Sequence, residues 1–308
     1  MDVPVPGATL SVEVVGDGPP LVLMHGGPGG DSTTMAPFRA LADEYTLVFY
    51  DHRGNGRSEC DDIASMTWDN LTADAEAVRS RLGFERWAVL GHSFGGMVAM
   101  EYALRYPEAL DHLVLVDTGG DIRWVQERAP QELAQRGYGT STVELARRFY
   151  SGRIEPREMS LAFLRFGRAF YHHMSYLGMV REMLGARHMK ARPEALIQGF
   201  GTLLPGWSVM DRLGGITTPT LVLAGRSDFQ YPPEHQQELA AAIPGAQLRL
   251  IDEAGHNAPH ERTGAVLAAV RTFLAGAAST GGAGGPLAAG EGRAAETDRR
   301  PGGGPDRR

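Results

Sequence analysis

The sequence predicts a doubly wound α/β fold with a mostly parallel sheet and an inserted helical cap. Three observations carry that expectation. Short runs rich in Val and Leu recur along the chain, several of them ending in Gly or Asp. Stretches of helical character separate them, as in a parallel sheet covered on both faces. Between residues 121 and 212 the alternation stops and only helical patterns remain, a length no simple loop reaches.

The elements follow in order. "ATLSVEVVG" alternates with period two and reads as a strand. "PLVLMHGG", "YTLVFYDHRG", "RWAVLGHS" and "LDHLVLVDTGG" are short continuous apolar runs, the form of strands buried on both faces. "TPTLVLAGRSD" and "AQLRLIDEAGH" repeat that form after Gly214. Helices are expected over about 33–42, 69–82, 95–106, 233–242 and 261–275. Within 121–212, "STVELARRFYSG" and "EMSLAFLRFGRAFYHHMSYL" read as helices. The expected division is a core from 1–120 and 213–275, a cap from 121–212 and a tail from 276–308. The tail has ten glycines and one large aliphatic side chain, Leu287. Such a composition cannot offset its ordering entropy, so disorder is expected there.

Composition narrows the functional classes. The chain has 308 residues and is 43% hydrophobic, enough for a large core. A net charge of −7 argues against nucleic acid or an anionic membrane as partner. One cysteine, Cys60, permits no internal disulfide. "MDVPVPGATLSVEVVG" lacks the basic and apolar regions of a signal peptide, and no apolar run approaches the roughly 20 residues of a membrane span. A cytoplasmic location is the resulting expectation. The oligomeric state stays open.

Chemistry concentrates at strand ends, where sites lie in this fold class. Gly91-His92-Ser93-Phe94-Gly95 fits G-x-S-x-G between a strand run and a helix run. A serine on so tight a turn is held in a strained backbone, and flanking glycines let helix and strand approach. Asp228 follows the strand "LVLAG" and His256 follows "LRLI". The order Ser93, Asp228, His256 suits a nucleophile, an orienting acid and a base. Asp117 is a rival acid because it also ends a strand, and His260 is a rival base. Asp252 reads as a turn residue and His92 as a packing residue. "MHGGPGG" places glycines directly after a strand, where backbone N–H groups can approach a ligand. The amides of Gly27 and Phe94 are the expected oxyanion donors. Neither a phosphate-binding nor a dinucleotide-binding glycine pattern follows the first strands, so no cofactor is expected. His172 and His173 are adjacent and make a poor chelate, so no metal is expected.

"HGGPGG" at 25–30, "YDHRGNGRSE" at 50–59, "GHSFGG" at 91–96, "AGRSD" at 224–228 and "AGH" at 254–256 resemble the α/β-hydrolase superfamily. More narrowly, the first two blocks resemble its proline iminopeptidase-like branch. The resemblance spans about residues 8 to 275. It implies a serine hydrolase that cleaves a small amide or ester, or an N-terminal residue of a short peptide, through an acyl-enzyme. It also implies that Asp51, Arg53 and Asn55 form a structural turn bracing the loops. Iminopeptidases of this branch hold the substrate amine with acidic cap residues. The cap here carries thirteen Arg and one Lys against nine acids, so it departs from an acidic pattern. Its aromatic residues Trp124, Phe170, Tyr176 and Trp207 are candidate substrate contacts. The same residues would also serve C–C bond hydrolysis, lactone opening, acyl transfer or cyclisation. A non-catalytic ligand receptor on this scaffold is the alternative from another class.

Overall fold

A computed structural model describes residues 1–185 and 188–278, apart from the side chains of 182–185 and 277–278. Nine strands form one sheet: β1 (Asp2–Val5), β2 (Ala8–Val15), β3 (Pro20–Met24), β4 (Thr46–Tyr50), β5 (Glu59–Cys60), β6 (Trp87–His92), β7 (Leu110–Val116), β8 (Thr220–Gly225) and β9 (Gln247–Ile251). The order is β1-β2-β4-β3-β6-β7-β8-β9, with β5 paired to β2. Pairing is parallel from β4 through β3 to β9 and antiparallel around β2. The helices are α1 (Trp68–Arg81), α2 (Phe94–Arg105), α3 (Ala129–Gln135), α4 (Thr140–Tyr150), α5 (Met159–Phe166), α6 (Tyr176–Gly185), α7 (Pro193–Gln198), α8 (Pro233–Ala242), α9 (Ala258–Glu261) and α10 (Thr263–Ala278).

Alternation along each strand splits the core into two layers. Val22, Met24, Val48 and Val89 face Val98 of α2, Leu71 of α1 and the cap. Leu21, Leu23, Leu47, Phe49 and Leu90 face Phe38 and, on α10, Val266 and Val270. Both layers are shielded from water, which is why these strands read as unbroken apolar runs. Each fully buried Leu or Val contributes about 1.5–3 kcal/mol.

The structure departs from the sequence reading at several places. The segment expected as a helix over 33–42 is a 3₁₀ helix, Ser32–Leu41, with Pro37 inside it. The expected last helix, 261–275, is α10, and the four-residue α9 before it, separated by Arg262, was not expected. Strand β1 was not expected; its Pro4 is accommodated because β1 is an edge strand. The stretch 158–177 is not continuous helix. Helix α5 ends at Phe166, and residues 171–175 leave helical geometry to dock on the core.

Helices α3 to α7 lie between β7 and β8 in the chain and form the inserted subdomain over the carboxyl ends of the strands. Helix α10 continues to Ala278, so residues 276–278 are helical; the rest of the expected tail lies outside the described residues. Among the described residues, no helix is long and apolar enough to cross a membrane.

Candidate active site

Ser93 joins β6 to α2 with φ 52° and ψ −120°. That region is rarely adopted by a side-chain-bearing residue, so its surroundings must hold it there. Its N–H donates to Val116 O at 2.9 Å, and its carbonyl accepts from Thr118 Oγ1 at 2.7 Å and Gly96 N at 2.9 Å. The glycines explain the tightness. A Cβ at Gly95 would lie 2.1 Å from Met24 O, and one at Gly91 2.4 Å from Gly95 O. Helix and strand therefore meet backbone to backbone, and the Ser93 side chain turns outward. Ser93 is half-buried, whereas its neighbours in the turn are buried.

His256 and Asp228 reach it from the ends of β9 and β8. His256 Nε2 lies 3.0 Å from Ser93 Oγ, and Nδ1 lies 2.8 Å from Asp228 Oδ2. A carboxylate at Nδ1 keeps the proton on that nitrogen and leaves the Nε2 lone pair facing the hydroxyl. Asp228 Oδ1 accepts from the amides of Gln230 at 2.8 Å and Tyr231 at 3.3 Å, which orients the carboxylate. The turn bearing His256 is held at four consecutive residues. Gly255 N donates to Glu261 Oε2 at 2.6 Å, and His256 O accepts from His92 Nε2 at 3.1 Å. Asn257 N donates to Phe170 O at 3.2 Å, and Ala258 N to Asp117 Oδ2 at 3.1 Å.

The rivals occupy other positions. Asp117 lies fully buried behind the pair, with both oxygens on backbone amides. Burial and the neighbouring charge of Asp228 push its carboxyl well above the usual carboxylate range. His260 is exposed, with Nε2 at 2.9 Å from Thr34 O. Asp252 pairs with Arg226 at 2.6 Å. His92, expected to pack against strands, also holds the turn that bears His256. Burial, then the proximity of His256, lowers its pKa to about 3, so it stays neutral.

The glycine loop after β3 passes beside Ser93; a Cβ on Gly26 would lie 3.4 Å from the Ser93 Cβ. His25 Nδ1 donates to Gly26 O at 2.7 Å and its Nε2 accepts from His52 N at 3.0 Å. Asn55 Oδ1 accepts from Gly29 N at 2.6 Å, and Asp51 Oδ1 from Ser32 N at 2.8 Å. Arg53 forms a buried two-pronged pair with Asp74, at 2.7 and 2.6 Å. These bonds tie the D-x-R-G block to the glycine loop and to α1. Among the described residues, the amides of Gly27 and Phe94 have no protein acceptor. Phe94 opens α2, where a helix leaves its first N–H groups unpaired.

The four cap aromatics lie apart. The Phe170 ring is 5.7 Å from the His256 ring. Trp124 packs on His235 at 4.9 Å. Trp207 stacks on Trp68 at 5.1 Å and donates from Nε1 to Glu101 at 2.9 Å. Tyr176 is 70% exposed beneath the Arg168 guanidinium, on the outer face of the cap. His172 reaches Ser227 Oγ at 2.7 Å through Nδ1, while its amide donates to Glu261 at 2.7 Å. The contacts made by Glu261, and Trp68 beside Phe94 at 6.1 Å, had no signal in the sequence. Both depend on segments remote along the chain. Among the described residues, no group of three or more His, Cys, Asp or Glu could hold a metal ion.

Comparison with known proteins agrees with this architecture. Residues 19–263 match the family described as alpha/beta hydrolase fold. A putative carbamate hydrolase RutD of Agrobacterium fabrum is 28% identical over 246 residues, covering 77% of this chain and 86% of that protein. A proline iminopeptidase of Neisseria gonorrhoeae is 28% identical over 261 residues, covering 78% and 83%. The crystal structure of a proline iminopeptidase from Mycobacterium smegmatis superposes with a TM-score of 0.73 at 27% identity, over 91% of this chain and 99% of that one.

Proposed function

Because the chain belongs to the alpha/beta hydrolase fold family, we propose that it is a serine hydrolase in which Ser93, His256 and Asp228 act as nucleophile, base and orienting acid on a small ester or amide. The observation that carries this reading is the continuous relay Ser93 Oγ–His256–Asp228, at 3.0 and 2.8 Å, ending on a strained serine.

Ser93 Oγ attacks the substrate carbonyl carbon while its proton passes to His256 Nε2. The carbonyl oxygen becomes an oxyanion and accepts hydrogen bonds from the free amides of Gly27 and Phe94, at the positive end of α2. Collapse expels the alcohol or amine, which takes the proton from Nε2. Water then attacks the acyl-enzyme, gives a proton to Nε2 and releases the acid and Ser93. Asp228 holds the imidazole tautomer and stabilises the imidazolium without becoming protonated.

Within this class we favour an ester or amide with an apolar acyl group. Phe170 offers an apolar ring beside His256. A substrate with a free amine needs an available carboxylate, and several cap acids are neutralised. Glu158 pairs with Arg148, Glu155 with Arg157, Glu194 with Arg192 and Asp121 with Arg123. Proline iminopeptidase and carbamate hydrolase activities, carried in the names of the relatives, are the neighbouring alternatives.

The test is mass spectrometry of the intact protein after fluorophosphonate treatment, followed by kinetics. One adduct is expected on the wild type and none on Ser93→Ala or His256→Ala. Hydrolysis of p-nitrophenyl butyrate should exceed that of prolyl p-nitroanilide in kcat/KM. An adduct retained by Ser93→Ala would remove the nucleophile assignment. A preference for the prolyl amide would make the protein an iminopeptidase.

A further inference from the structure

Asp117 is a second buried carboxylate at the site, and the proposed relay leaves it without a role. It follows β7 in a left-handed conformation, φ 46°. Its two oxygens serve different loops. Oδ1 accepts from Gly225 N at 2.8 Å, and Oδ2 from Ala258 N at 3.1 Å. Gly225 is the last residue of β8, and its carbonyl accepts from Asp228 N at 3.2 Å. Ala258 lies two residues beyond His256. One carboxylate thus joins the turn that carries the acid to the turn that carries the base. His92 adds a second link, since its Nε2 donates to His256 O at 3.1 Å and lies 3.8 Å from Asp117 Oδ2.

Resting on the hydrolase reading above, we propose that Asp117 is a positioning residue. It sets the spacing of Asp228 and His256, and so the alignment of Nε2 on Ser93, without touching substrate. Two other roles fit the geometry less well. As the orienting acid it would need His256 Nδ1, which Asp228 holds at 2.8 Å. As filler, an apolar side chain of similar size would avoid the cost of burying a carboxyl group. A side chain with two acceptors, one for each turn, is what an apolar residue cannot supply.

The test compares wild type with Asp117→Asn. Asparagine is nearly isosteric and keeps one acceptor, but it turns an N–H toward one of the two amides. The readouts are kcat and KM on p-nitrophenyl butyrate, the melting temperature and the downfield proton resonance of His256 Nδ1–H. The expected result is a roughly 10- to 100-fold fall in kcat with KM within about twofold, as for a misplaced catalytic group. The downfield resonance should shift or broaden with it. Should Asp117→Asn fail to fold, Asp117→Ser takes its place, leaving room for water at both amides. A folded variant whose resonance is unchanged overturns the proposal, whatever its kcat, because the acid–base contact would then be independent of Asp117. Failure of the hydrolase reading appears separately, as a wild type that forms no adduct at Ser93. The resonance needs no turnover and still decides the tether.

Discussion

Ser93 shows how a single residue can be dictated by its neighbours. Its positive φ accompanies the close approach of α2 to the ends of β6 and β3, which the absence of a side chain at 91 and 95 permits. Gly95→Ala should therefore destabilise the fold by more than about 3 kcal/mol, since the added carbon would run into backbone rather than a flexible side chain. Urea unfolding checks this, and a loss under about 1 kcal/mol would count against backbone crowding as the reason for glycine. The two buried aspartates should separate by role. Asp228→Asn removes the partner of His256 Nδ1 and should cost on the order of 10⁴-fold in kcat, far more than Asp117→Asn. The reverse ranking in steady-state kinetics would exchange their assignments.

At the scale of elements, the proposed site depends on loops that brace one another. The glycine loop after β3 rests on Asn55 and Asp51 from the loop after β4. That second loop is anchored to α1 by Arg53 and Asp74, each about 2% exposed in its side chain. Arg53→Ala should cost about 3–5 kcal/mol, because Asp74 would be left buried without its partner. Chemical denaturation of Arg53→Ala, Asp74→Ala and the double variant measures this, and the double variant should recover part of the loss. The cap is coupled to the turn that bears His256 through the 170–172 segment. Glu261 accepts both the His172 and Gly255 amides, so Glu261→Ala should loosen the cap and the turn together. Hydrogen exchange should rise at 170–172 and at 255–257 in that variant; a rise at one segment alone would show that they move independently.

Across the whole molecule, buried neutral histidines couple folding to pH. Burial lowers the pKa of His92 to about 3 and of His235 to about 4, and lowers those of His25 and His52 as well. Unfolded, each binds a proton near pH 6.5. Between that value and the lower folded pKa, the unfolded state holds more protons, so stability decreases as the pH is lowered. The contribution is intact above about pH 6.5 and is lost on acidification. At pH 5 the loss amounts to about 2 kcal/mol each for His92 and His235. The melting temperature should drop from pH 7 to pH 5. His52→Phe should flatten part of that drop, because neither ring nitrogen of His52 has a hydrogen-bond partner within the described protein. An unchanged slope in that variant would mean that His52 is not held neutral by burial.

Apolar runs at strand spacing, closed by Gly or Asp, carried the α/β class, seven of the strands and the positions of Ser93, Asp228 and His256 at their ends. Those signals are local. A strand buried on both faces must be apolar throughout, and a serine on a tight strand–helix turn must have glycines beside it. The tertiary structure alone decided that Asp117 bonds to two turns, that Glu261 joins the cap to the turn that bears His256, and that residues 171–175 leave the helix. It also placed Phe170 beside His256 and Tyr176 on the outside, although both are aromatic residues in a helical stretch. Each of these outcomes depends on which backbone amides and which faces meet across long sequence separations, and neither periodicity nor composition encodes such pairings.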